Sequence, residues 1–84
     1  MSESVIQSKL IKQLQSSGCY VIKLGVTNKN GIADILCIMP NGSVEFYEVK
    51  QKGKEPEPLQ LFRANELKRY GIKTYLYDGT KTEL

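Results

Sequence analysis

Histidine and tryptophan are absent from these 84 residues, and cysteine occurs only as Cys19 and Cys37, in no Cys-x-x-Cys arrangement. Without histidine there is no Ser/His/Asp or Cys/His triad and no general base of the usual kind. Two isolated cysteines do not make a zinc ligand set either. Any hydrolytic chemistry therefore falls to carboxylates, lysine or a bound metal. Long apolar runs are also missing. Nothing approaches the ~20 residues needed to span a bilayer, and Met1 to Leu14 lacks the basic start and apolar core of a secretory signal, so a cytoplasmic protein without membrane attachment is expected. With only 3 prolines and 7 glycines against 40% apolar and 25% charged residues, the composition is that of a folded domain. Its length allows one hydrophobic core, hence a single domain over 1–84 with one site. The net charge of +3 is mild and suits a polyanionic partner without requiring one.

What is present reads as alternating helices and strands. Val5, Ile6, Lys9, Leu10, Gln13 and Leu14 have helical spacing, Ser2 can cap them, and Gly18 ends the helix. Cys19 to Leu24 fits a strand, and 25–31 a polar loop. Ile32 to Met39 fits a second strand, apolar except for Asp34. Pro40-Asn41-Gly42 is a tight connection that returns Ser43 to Lys50 antiparallel as a third strand. A charged loop over 51–58 leads into a helix from Leu59 to Tyr70, whose apolar face is Leu59, Phe62 and Leu67 with Arg63, Glu66 and Lys68 outside. Lys73 to Asp78 is the last strand. The order αβββαβ predicts an α/β fold with one mixed central sheet flanked by helices.

Within this frame Asp34 is the most informative acid, because an ionised carboxylate in an apolar strand needs a partner or a metal. On the following strand Val44, Phe46, Glu48 and Lys50 share one face. Pairing through the 40–42 turn brings Asp34 and Glu48 to the same edge of the sheet, with Lys50 beside them. Glu66-Leu67-Lys68 has the same acid-x-Lys pattern and serves as an internal control, since on a helix residues two apart do not face each other. Asp34, Glu48 and the carbonyl of Val49 form an oxygen donor set suited to Mg²⁺ or Mn²⁺. Lys50 would orient the attacking water and add positive charge at a phosphate. Lys23, Lys29, Lys52, Lys54 and Arg63 border this region and are candidates to hold a nucleic-acid backbone. Removal of either acid is expected to raise stability in metal-free buffer by relieving repulsion.

Gly31-Ile32-Ala33-Asp34, Glu48-Val49-Lys50 and Gln60, with Glu3 ahead of them, resemble the motif set of the PD-(D/E)XK nuclease superfamily and, more narrowly, the VRR-NUC (virus-type replication-repair nuclease) family. The resemblance runs from Glu3 to the last strand. It implies a restriction-endonuclease-like core and a metal-dependent DNA endonuclease in which Glu3 and Gln60 join the catalytic residues, Glu3 also at the metal. It further implies a homodimer acting on branched DNA such as four-way junctions, in the host cytoplasm if the source is a virus or phage. Ala33 departs from the pattern, standing where the family usually has proline. A nucleic-acid-binding module on the same fold without cleavage is the main alternative and a purely structural subunit a third, and retention of Asp34, Glu48 and Lys50 argues against both. For the dimer, the outer side of the second helix and the last strand, around Tyr70, Tyr75 and Tyr77, are the candidate surfaces.

Overall fold

The computed structural model describes residues 1–84 as a five-stranded sheet with one helix on each face. Helix α1 (Glu3–Ser16) starts where expected, with Ser2 Oγ accepting from the Val5 N–H at 3.3 Å. It lays Ile6 and Leu10 on the sheet. Strands β1 (Tyr20–Lys23), β2 (Ile35–Ile38) and β3 (Val44–Val49) form an antiparallel meander. The β2–β3 turn is closed by the Met39 N–H donating to Ser43 O at 2.7 Å. Gly42 there has φ +89°, and Asn41 Oδ1 accepts from both the Ser43 N–H and hydroxyl. Helix α2 (Pro58–Lys68) carries the chain over to β4 (Lys73–Tyr77), which pairs parallel to β3.

The core lies under α1, where Ile6, Leu10, Cys19, Ile35, Cys37, Tyr47 and Val49 interlock. Ile35 and Val49 are essentially inaccessible, and each such side chain contributes about 1.5–3 kcal/mol by leaving water. The opposite face of β3 presents Phe46 and Glu48 toward the α2 side, so the central strand is buried on both faces.

Four expectations need correction. The second strand begins at Ile35 and not at Ile32, because residues 29–33 turn: the Ile32 N–H donates to Lys29 O and Gly31 has φ +81°. Helix α2 does not bury Leu59 and Phe62, which are exposed. It buries Ala64 with Gln60 and Leu67 alongside, at i, i+4 and i+7, because a hydrogen bond from Gln60 sets its rotation. A further strand, β5 (Lys81–Glu83), pairs outside β4. It is held by Lys81, whose ammonium lies 4.1 Å from the centre of the Tyr75 ring and 3.7 Å from Glu45 Oε1. The last expected strand is thus no edge, and Tyr75 and Tyr77 are half-buried against the α1 core, not displayed as a dimer surface.

Candidate active site

Strand register builds the site. Ile35 pairs with Tyr47 and Leu36 with Phe46, so one further step places Asp34 opposite Glu48. Asp34 stands at the bend before β2, and its Oδ2 accepts from the Val49 N–H at 2.9 Å. That bond spans the two strands where the regular ladder stops and fixes the carboxylate at the sheet edge. It also revises the expected stabilisation: Asp34→Ala would strand a buried N–H, at a cost of about 1–3 kcal/mol, whereas Glu48 has no backbone donor to lose.

Glu48 is only 3% exposed. Its Oε2 accepts from Gln60 Nε2 at 2.8 Å, while Oε1 is buried without a partner. Burial, then the neighbouring Asp34 charge, push its carboxyl up to about 8; Lys50 opposes this, and the charge of Glu3 adds to it. Below that pH a proton separates the two acids. Above it, two negative charges face each other with one oxygen unsatisfied.

Gln60 has two jobs. Its Oε1 accepts from the Glu57 N–H at 2.7 Å, capping α2, and its Nε2 holds Glu48. The backbone partner fixes which end of the amide faces the acid. Lys50 follows β3 directly, anchored by its N–H donating to Tyr77 O at 3.1 Å, and its ammonium takes part in no ion pair. Val49 lies between them with its side chain in the α1 core.

Glu3 stays outside the pair. Its carboxylate is exposed and accepts weakly from the Gln51 N–H at 3.4 Å, and no three acids, histidines or cysteines converge. Lys23, Lys29, Lys52 and Lys54 are exposed and free of ion pairs. Arg63 differs: Nε donates to Asn30 O at 2.7 Å and Nη1 to Glu66 at 2.7 Å. Glu66-Leu67-Lys68 accordingly lies on α2 away from the carboxylate pair.

The sequence hid one supporting residue. Gly31 packs against α2 so closely that a Cβ there would lie 2.6 Å from Leu59 Cγ. With the Arg63–Asn30 bond, this contact clamps the segment before Asp34 to the helix that carries Gln60. Only the glycine three residues before the aspartate hinted at it.

Two hard oxygen ligands side by side, one of them unsatisfied, fit a small divalent cation. Comparison with known proteins bears on what such a pair does. No family model matches the chain. A solved structure of a VRR-NUC domain superposes with a TM-score of 0.80 over 88% of this chain and 81% of its own, at 28% identity. The chain has the fold of a VRR-NUC domain. A phage protein named "Putative nuclease p44", from Acyrthosiphon pisum secondary endosymbiont phage 1, is 29% identical over 92% of this chain and 83% of its own length. The VRR-NUC fold thus carries Asp34 on the β2 approach, Glu48 and Lys50 at the end of β3, and Gln60 on α2. Ala33, at the usual proline position, is buried beside them. No helix is long and apolar enough to cross a membrane.

Proposed function

We propose that this chain hydrolyses phosphodiester bonds in DNA, with Mg²⁺ or Mn²⁺ held by Asp34 and Glu48 and a contribution from the Val49 carbonyl. The observation that carries the reading is the buried, partnerless Glu48 Oε1 opposite Asp34. Burial of an anionic oxygen with no donor is costly unless a proton or cation meets it. The cation supplies acidified water and offsets charge at the phosphate. The protein supplies the rest. The Val49 N–H and Gln60 hold the two carboxylates, and unpaired Lys50 offers a positive charge to the phosphate and to the attacking water. Exposed Lys52 and Lys54, just beyond Lys50, extend that charge along a DNA backbone, as do Lys23 and Lys29 on the other side. Glu3 acts at longer range, through its charge.

The finer reading is branched DNA, including four-way junctions, cut by a two-fold dimer whose paired sites match the symmetry of the junction. Exposed Leu59, Leu61 and Phe62 on α2 supply an apolar surface for such a dimer. A cleavage panel of linear, single-stranded and junction DNA with and without Mn²⁺, run on Asp34→Ala, Glu48→Ala and Lys50→Ala, tests the site. Each variant should lose cleavage. Cutting by Lys50→Ala at the wild-type rate sinks the assignment. Light scattering at micromolar concentration should give twice the monomer mass.

A further inference from the structure

One turn along α2 from Gln60 a pocket of about 420 Å³ opens between the 25–33 loop and the C-terminal half of the helix. Ile32 and Leu67 give it an apolar lining, and Lys29, Arg63 and Arg69 bring three positive charges against the one carboxylate of Glu66. Their convergence shows in Glu66, whose carboxyl is held below its usual range by the Arg63 hydrogen bond, with Lys29 and Arg69 acting in the same direction. Arg63 is spent on Asn30 and Glu66 and serves as wall. Lys29 and Arg69 take part in no ion pair. Tyr70 lines the pocket and is 81% exposed.

Unpaired cations, an apolar wall and an open aromatic ring make a combination that suits a nucleotide: phosphate on the cations and base on the ring. An acidic peptide would use the cations and leave the apolar lining and Tyr70 idle. Position points the same way. The pocket shares the 29–32 loop with Asp34 and shares α2 with Gln60. Leu67 lies about 10 Å along the helix from Gln60, the span of roughly three stacked nucleotides. A base inside a stacked duplex cannot enter such a recess. Only an unpaired or splayed one can.

We infer that the pocket formed by Lys29, Ile32, Leu67, Arg69 and Tyr70 receives one unpaired nucleotide of the substrate strand, a few positions from the scissile phosphate. The inference rests on the nuclease reading and narrows it. The substrate is DNA with an unpaired nucleotide flanking the cut, and the pocket contributes binding, not chemistry.

Because Lys29, Arg69 and Tyr70 are all exposed, their variants test the surface without disturbing the core. The probes are a fluorescent ten-nucleotide single strand and the same sequence as a blunt duplex, both titrated in EDTA so that nothing is cut. Tyr70→Ala should weaken single-strand binding by about fivefold or more, with Tyr70→Phe near wild type. Lys29→Ala/Arg69→Ala should lower the slope of log affinity against log salt by about one. Duplex affinity should change little in Tyr70→Ala. Equal single-strand affinity in Tyr70→Ala and wild type overturns the inference, as does equal competition by a poly-glutamate peptide of matched charge. In both cases binding of DNA by the wild type leaves the nuclease reading standing. A wild type that binds neither DNA overturns the inference, and the cleavage panel with Mn²⁺ decides the nuclease reading separately.

Discussion

Raising the pH from 5 to 8 in EDTA should destabilise this protein, and the effect should reside in Glu48. Its carboxyl is displaced from 4.5 to about 8 in the folded chain, so between those values the folded state holds a proton that the unfolded state has lost. Stability then falls with pH at about 1.4 kcal/mol per unit. The contribution is complete below 4.5 and gone once the pH has passed about 8, giving an upper bound of ~5 kcal/mol. Between pH 5 and 8 these values allow a loss of at most ~3.5 kcal/mol, which relaxation around the buried charge reduces to about 2–3 kcal/mol, a large share of the ~5–15 kcal/mol typical of a domain. The window is unusually clean, because the chain has no histidine to titrate in it. Urea unfolding followed by circular dichroism at pH 5, 6, 7 and 8 measures the slope. Glu48→Gln, which keeps an acceptor for Gln60 and removes the charge, should flatten it and be more stable than wild type at pH 8. A wild-type profile level from pH 5 to 8, or a Glu48→Gln profile as steep as wild type, would refute the reasoning. Millimolar Mn²⁺ at pH 8 should recover stability in wild type, by about 2.7 kcal/mol at a hundredfold excess over its Kd, and should leave Glu48→Gln nearly unmoved.

Isothermal titration with Mn²⁺ should show metal affinity lost in Asp34→Ala and Glu48→Ala and kept in Lys50→Ala, since the lysine is no ligand. Gly31→Ala should cost about 1–3 kcal/mol by equilibrium unfolding, because its Cβ meets Leu59 and its φ is +81°; shortening Leu59 to alanine in the same chain should recover part of that cost, and full additivity would deny the contact. Burial, then the neighbouring Cys19, push the Cys37 thiol up to about 12. At pH 8 it should resist a thiol-specific reagent until urea unfolds the chain, and rapid labelling of the native protein would contradict the packing of the core.

The acids of the site were legible because strand alternation and a short turn are enough to place Asp34 against Glu48 without knowledge of the helices. Which face α2 buries was not legible. Its apolar residues suggest Leu59 and Phe62, yet a polar residue, Gln60, sets the rotation through one hydrogen bond, and hydrophobic periodicity carries no record of such a bond. Lys81-Thr82-Glu83 has no apolar pattern at all, and its pairing depends on Lys81 meeting Tyr75 across the turn and Glu45, a residue distant in sequence. The basic residues divided for a similar reason. Composition treats Arg63 and Lys29 alike, but only the folded chain brings Glu66 and Asn30 to the arginine and ties it down.

The two rims of the sheet have opposite consequences for colloidal behaviour. On one side β5 is short and displays only Lys81, Thr82 and Glu83, and a charged, brief border discourages another chain from extending the ladder. On the other, β1 leaves Tyr20 69% and Ile22 40% exposed beside an unpaired backbone, with Lys23 as its one charge. Any growth of the sheet from molecule to molecule is therefore directional. It has an accepting border at β1 and a closed one at β5, so a strand donated to β1 ends the stack unless the donor opens its own β1 to the next.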